Sequence, residues 1–173
     1  MDWSIVPADS NDATTLAGLH VESWRTAYRS ILPTAFLDGP LEENRTSLWQ
    51  TRLTDAQTPR RLVLKAVAAS EVLGFACVLV DEEPAWGPRL DNLHVRPHLK
   101  GLGIGSALFK ASHSWVTDVA RHDLMHLWVL EENHAARRFY DRHGGSVQER
   151  QVMEIAAGLF VPELRYIWRS VVG

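Results

Sequence analysis

The sequence has little cysteine, no long hydrophobic run and no basic leader. Cys77 is the one cysteine among 173 residues, which excludes an internal disulfide and a metal site built from several thiolates. No apolar stretch reaches the roughly 18 residues that a transmembrane helix needs. Residues 1–8 lack the basic start and the continuous apolar run of a signal peptide. Together these absences predict a cytoplasmic protein with no membrane partner.

An excess of charge of one sign is also missing. The chain has 18 lysine and arginine residues against 21 aspartate and glutamate residues, for a net charge of −3. The two signs are interspersed, so no basic stripe is available to follow a phosphate backbone, and we expect no nucleic acid partner. With 46% hydrophobic and 23% charged residues, the composition is that of a globular protein. A chain of this length can bury about 70% of its unfolded surface, so we predict one domain over residues 1–173.

The spacing of apolar residues and turn formers predicts a mixed α/β fold with one parallel crossover between Val95 and Leu130. A turn at Gln57–Pro59 closes the first helical portion. The predicted strands cover residues 3–7, 61–68, 72–80, 89–95, 124–130, 147–155 and 161–171, and the predicted helices cover residues 12–28, 41–53, 103–121 and a segment that Asn133 caps and Gly144 ends.

A glycine-rich segment at residues 98–108 separates a predicted strand from a predicted helix. Several backbone N–H groups lack partners at such a junction, and the helix dipole favours negative charge there. Glycines let the backbone approach an anion closely, and Lys100 adds a full positive charge. The loop therefore indicates an anion site, with a plain glycine-tolerant turn as the alternative.

Two phosphate-binding motifs can be compared with this loop. The P-loop string is missing from the sequence. A dinucleotide motif needs a third glycine where Ser106 stands, and it belongs directly after the first strand of its fold. Glu131 or Glu132 could imitate the ribose-binding acid, but too little chain follows for a second half-domain. A nucleotide site is thus a distant alternative.

The segments Val95–Leu108 and Leu127–Tyr140 resemble two motifs of the GNAT superfamily of acetyl-CoA-dependent N-acetyltransferases. The first is similar to its Arg/Gln-x-x-Gly-x-Gly/Ala pyrophosphate loop, and the second to its Asn-x-x-Ala-x-x-Phe-Tyr segment. The family fold implies a central mixed sheet of about seven strands flanked by about four helices. Two positions depart from the family pattern: Lys100 replaces Arg or Gln, and Gly145 replaces an aromatic residue.

The resemblance also implies a set of site residues. The backbone of Leu93, His94 and Val95 would line the pantetheine arm, Asn133 would contact the pantetheine or its phosphates, and Tyr140 would be the general acid toward the departing sulfur. From periodicity alone, Tyr140 is a core residue. The amides that would hold the pyrophosphate belong to Lys100, Gly101, Leu102, Gly103, Ile104, Gly105 and Ser106.

Acetyl transfer needs a neutral amine. For an acceptor with a pKa of about 10.4, deprotonation near neutral pH costs about 4 kcal/mol, so a base or a desolvating pocket must contribute. Asp91, His94 and Glu22 are the candidates for the base, each with a structural role as its alternative. Because strand residues alternate, we expect Asp91 and His94 on opposite faces of the sheet unless a bulge intervenes. Trp24 and Tyr28 either line the acceptor pocket or pack in the core.

The leading hypothesis is an N-acetyltransferase that moves the acetyl group directly from acetyl-CoA to a primary amine, on a small molecule or a protein N-terminus, with no metal. An acyl-CoA sensor without transfer activity is the alternative. The pairs His94/His98 and His122/His126 have ligand-like spacing, but we predict structural or solvated roles for them, and a buried strand position for Cys77. The sequence does not identify the amine acceptor. It also does not fix the oligomeric state, although the closing strands could form the edge of a homodimer.

Overall fold

A mixed seven-stranded sheet runs through the residues that the computed structural model describes, 2–54 and 60–169. The strand order is β1-β2-β3-β4-β5-β7-β6. The elements are β1 (Ser4–Pro7), α1 (Ala13–Ala27), α2 (Thr34–Leu37), α3 (Leu41–Thr54), β2 (Arg61–Ala68), β3 (Glu71–Leu79), β4 (Arg89–Val95), α4 (Ile104–Asp118), β5 (Leu124–Leu130), α5 (His134–Arg142), β6 (Ser146–Ala156) and β7 (Leu159–Arg169).

The mixed α/β prediction is confirmed, and most element boundaries agree within three residues. The described residues contain five α-helices and not about four, because a four-residue helix, α2, follows Pro33. The predicted turn at Gln57–Pro59 and the end of the last predicted strand beyond Arg169 lie outside the described residues. The single-domain assignment stays a prediction.

Helices cover both faces of the sheet, and β3 contributes side chains to the core on each face. Every residue of β3 after Glu71 is buried. Alternate residues point to opposite faces, so Ala76 and Val78 join the core under α4, whereas Phe75 and Cys77 join the core under α1 and α3. Burial raises the pKa of the Cys77 thiol to about 12, which confirms the prediction of a buried strand cysteine.

The two parallel strands at the centre of the sheet separate soon after they meet. Among the described residues, β4 and β5 are paired only at Arg89 and His126. By contrast, β5 pairs with β7 along its whole length, from Leu124 to Leu130. Main-chain groups at the carboxyl end of β4, around Leu93–Val95, therefore face an opening and not a neighbouring strand.

A β-bulge in β4 changes which side chains share a face. Cys77 pairs with Asn92 and Val78 pairs with Leu90, so Asp91 is an extra residue in the ladder. Asp91 contacts Arg52 of α3, and His94 contacts Ser23 of α1. The bulge is the exception that the sequence analysis allowed for, and with it both side chains lie on the α1 and α3 side.

Gly145, which departs from the family pattern, lies where two aromatic side chains of β7 already fill the space. A Cβ atom there would lie 2.6 Å from Trp168 Cζ2 and 2.9 Å from Tyr166 Cδ1. The Trp168 indole N–H donates to the carbonyl of His143 at 3.0 Å, which fixes the ring in that place. The sequence thus supplies the aromatic packing from β7 instead of from position 145.

Candidate active site

A cleft of about 940 Å³ opens where β4 and β5 separate, and its size suits a small-molecule site. We divide it into two ends. The α4 end is formed by the turn before α4 and by one side of α5, and its lining residues are Leu99, Lys100, Gly101, Gly103, Ile104, Gly105, Ser106, Ala136 and Phe139. The α1 end is formed largely by side chains, and its lining residues include His20, Ser23, Trp24, Tyr28, Arg45, Arg89, Asp91, Asn92 and Glu163.

The α4 end presents backbone N–H groups without acceptors. Among the described residues, no acceptor is found for the amides of Gly101–Ser106; the first bond of the helix runs from the Ala107 amide to the Gly103 carbonyl at 3.0 Å. Gly101 and Gly103 have φ angles of 87° and 82°, which glycine adopts without steric cost. These amides and the dipole of α4 can bind an anion. Leu102 is 58% exposed and its side chain does not line the cleft.

Helix α5 contributes Asn133 and Tyr140. The Asn133 side chain caps α5 by accepting from the Ala136 amide at 3.2 Å, as the sequence indicated. The Tyr140 ring packs near Tyr166 and Trp168, with ring centroids 5.8 and 5.7 Å away. Burial raises the pKa of the Tyr140 phenol well above its usual value, so the phenol stays protonated at neutral pH. Tyr140 thus both packs in an aromatic cluster and lines the cleft.

Leu93, His94 and Val95 of β4 line the cleft between its two ends. The His94 Nδ1 atom lies 2.9 Å from the Ser23 hydroxyl. Burial, and after it the charge of Arg45, lowers the pKa of His94 to about 3. The imidazole is therefore neutral at physiological pH.

Behind His94 lies a second histidine that sequence reasoning did not single out. The His20 ring centroid is 4.6 Å from that of His94. Trp49 Nε1 donates to His20 Nδ1 at 3.1 Å, which assigns the remaining proton of the neutral ring to Nε2. That atom is buried and has no partner among the described residues. Burial and the neighbouring His94 hold the pKa of His20 far below its usual value, so this ring is also neutral.

The structure brings Asp91 into the site but not Glu22. Asp91 carboxylate oxygens lie 2.7 Å from Arg52 and 3.0 Å from Arg89, so two guanidinium groups already bind it. The Glu22 side chain is 41% exposed and pairs with Arg96 at 3.2 Å. Glu22 lines a separate groove between α1 and α3, outside the cleft.

Glu163 of β7 is a cleft residue that sequence reasoning missed as a candidate. It is 4% exposed, lines the cleft and accepts a hydrogen bond from Gln151 Nε2 at 2.6 Å. Burial raises the pKa of its carboxyl group. One acidic residue within the otherwise largely apolar run 159–164 is the signal that could have identified it, because carboxylates are seldom fully buried without a reason.

Arg45 of α3 is a second missed cleft residue. Its guanidinium carbon lies 4.3 Å from the centroid of the Trp24 ring, within the range of a cation–π contact. Its Nε atom is buried and has no hydrogen-bond partner among the described residues. Nothing in the local sequence of α3 marks this arginine out from Arg52, because its surroundings come from α1 and β4.

The histidine pairs do not gather further ligands. No group of three or more His, Cys, Asp or Glu residues in the described part of the chain could hold a metal ion. His126 is fully buried, and its Nδ1 atom lies 2.7 Å from Arg165; burial is the main cause that lowers its pKa to about 4. This contact fits a structural role for His126.

Comparisons with known proteins agree with the two motifs. A family model described as the acetyltransferase (GNAT) family matches residues 21–145. The chain belongs to the GNAT acetyltransferase family. The predicted family, fold and acetyltransferase class are therefore confirmed. The matched span includes the turn before α4, Asn133 and Tyr140, but it ends before Glu163.

Solved structures agree on the fold. The PaiA N-acetyltransferase of Thermoplasma acidophilum, in complex with coenzyme A, is 19% identical, with a TM-score of 0.81 over 98% of this chain and 99% of that one. NAA60 of Arabidopsis thaliana, in complex with a bisubstrate analogue, is 16% identical, with a TM-score of 0.72 over 99% of this chain and 100% of that one. No curated protein matches the chain in sequence. No helix in the described residues is long and apolar enough to cross a membrane.

Proposed function

We propose that this protein is an N-acetyltransferase that transfers the acetyl group of acetyl-CoA directly to a primary amine. The observation that carries the proposal is the row of amides without acceptors at Gly101–Ser106, at one end of a cleft whose walls are two diverging strands. Such amides at a helix N-terminus suit the diphosphate of coenzyme A. Lys100 lines the same end and adds a positive charge. That a solved relative of the same fold binds coenzyme A supports the choice of anion.

The opening between β4 and β5 suits the pantetheine arm and its thioester. The main chain at Leu93–Val95 borders the cleft, and an N–H group there would polarise the thioester carbonyl and stabilise the oxyanion. Asn133, at the start of α5, would contact the pantetheine arm. The amine nitrogen then attacks the carbonyl carbon, the C–S bond breaks, and the sulfur leaves as a thiolate. Tyr140, protonated at neutral pH, donates its proton toward that sulfur, and the proton lost by the amine goes to the base.

For the base, the geometry favours Glu163 over the two carboxylates that the sequence suggested. Asp91 is bound by two arginines, and Glu22 lies outside the cleft. The raised pKa of the buried Glu163 makes its carboxylate a stronger base than an exposed one. The low local dielectric around Trp24 and Tyr28 also favours the neutral form of the amine, because desolvation disfavours an ammonium ion.

The test is an acetyl-CoA consumption screen over amino acids, polyamines, drugs and peptides, with calorimetry of acetyl-CoA binding on the same preparation. We expect release of coenzyme A with at least one amine, and recovery of the N-acetylated product. Binding of acetyl-CoA with no transfer to any amine would favour the sensor alternative. Binding of NAD or ATP without binding of coenzyme A would overturn the proposal. The cytoplasmic location and a homodimer stay predictions from the sequence.

A further inference from the structure

The α1 end of the cleft contains a positive charge that the protein itself does not neutralise. Arg52 pairs with Asp91 at 2.7 Å, and Arg89 pairs with Asp91 at 3.0 Å and also with Glu82 and Glu83. Among the described residues, no carboxylate lies within ion-pair distance of Arg45. At the α1 end, Arg45 is therefore a lining arginine whose partner must come from outside the described residues or from solvent.

The environment of Arg45 disfavours a solvated, idle guanidinium. Arg45 is half-buried, and its Nε atom is shielded from water. Burial, and after it the charge of Arg52, lowers its pKa, whereas Asp91 and Tyr28 act in the opposite direction from beyond ion-pair distance. A desolvated charge is costly unless it is paired and hydrogen-bonded. The structure thus retains an unfavourable charge at a position that lines the cleft.

The contact with Trp24 uses the face of the Arg45 guanidinium group and not its edge. Trp24 holds the group by its face, with 4.3 Å between the guanidinium carbon and the ring centroid. The N–H donors of an arginine lie in the plane of the group, so a face contact does not consume them. A planar carboxylate is an anion that matches such a fork with two parallel hydrogen bonds.

We infer that the acceptor is a small primary amine that carries a carboxylate, an amino acid in the broad sense, and that Arg45 binds this carboxylate. The inference rests on the proposed function. When Arg45 binds the carboxylate of the acceptor, the amine of the same molecule is free to contact Glu163 and the thioester. A polyamine or an aminoglycoside would place additional positive charges beside Arg45, which repels them.

The experiment compares each amino acid with its carboxamide, for α-, β- and ω-amino acids, by kcat/KM in the wild type and in Arg45→Gln. The carboxamide is the less basic amine and is chemically the easier acceptor, so a preference for the acid reflects recognition of the carboxylate. We expect the wild type to prefer at least one free acid by tenfold or more, and Arg45→Gln to abolish that preference mainly through KM. Arg45→Lys keeps the positive charge but lacks the planar guanidinium group, so it should retain part of the preference for the free acid.

The control is Arg29→Gln, because Arg29 follows α1 on the surface and pairs with the exposed Asp38. This variant should keep both the preference and the rate. Equal turnover of acids and carboxamides in the wild type would overturn the inference and leave the N-acetyltransferase function standing. Unchanged preference in Arg45→Gln would overturn the role of Arg45. Normal binding of acetyl-CoA with no transfer to any amine would overturn the proposed function, and the inference with it.

Discussion

The two ends of the cleft are built from different materials. The α4 end consists of main-chain amides held by two glycines with positive φ. The α1 end consists of side chains from α1, α3, β4 and β7. A backbone site binds an anion with little dependence on side-chain identity, whereas a side-chain site changes with every substitution. In such a fold the acetyl donor can therefore stay the same while the amine acceptor varies.

The largest effect should come from Tyr140 of α5. Tyr140→Phe removes the proposed general acid and should lower kcat about 100-fold, with acetyl-CoA affinity unchanged. The control is Tyr166→Phe, because Tyr166 is a neighbouring buried tyrosine whose hydroxyl donates to Asp141 at 2.9 Å, outside the proposed chemistry. Steady-state kinetics measures kcat for both variants, and calorimetry measures their affinity for acetyl-CoA. Full turnover in Tyr140→Phe would remove this residue from the mechanism.

At the α1 end, Glu163→Gln should lower kcat/KM about tenfold or more. The loss should be largest above the pKa of Glu163, where the wild-type carboxylate is ionised, and the acid limb of the pH profile should disappear. If the acid limb persists in Glu163→Gln, Glu163 is not the general base.

The same variant tests whether folding raises the pKa of Glu163. The folded state holds the Glu163 proton to a higher pH than the unfolded state does. Stability must therefore fall as the pH rises from the unfolded pKa through the folded one. Glu163→Gln should remove this part of the fall, which thermal unfolding at a series of pH values detects. A wild-type curve that rises relative to Glu163→Gln over that range would contradict the assignment.

At the α4 end we expect a smaller effect, confined to the affinity for acetyl-CoA. Gly103→Ala strains a backbone with φ of 82° and should weaken acetyl-CoA binding about tenfold by displacing the turn amides. Gly158→Ala is the matched control, because Gly158 has φ of 75° and open space around it in the turn between β6 and β7. Both variants should lose similar stability, and only Gly103→Ala should lose affinity. Equal affinities in calorimetry would show that the turn does not hold the diphosphate.

Glu22 should give the smallest effect. Because it lies outside the cleft and pairs with Arg96 at 3.2 Å, Glu22→Gln should change kcat/KM by less than about twofold across the pH range. A large loss would restore Glu22 as the base, acting through water from its own groove.

Sequence reasoning reached the α4 end because its signals are local. The glycine turn, the cap at Asn133 and the apolar repeat of α4 each lie within a few residues of the group that they position. Arg45 and Glu163 are functional candidates only because chain segments distant in sequence meet at Trp24 and Tyr28. The bulge at Asp91 depends on the ladder with β3, which periodicity along one strand cannot indicate.

The most direct measurement is a crystal structure of the protein with acetyl-CoA. We expect diphosphate oxygens about 3 Å from amide nitrogens of Gly101–Ser106, with the thioester carbonyl beside Leu93–Val95. Acetyl-CoA bound elsewhere, with these amides empty at saturating ligand, would contradict the account.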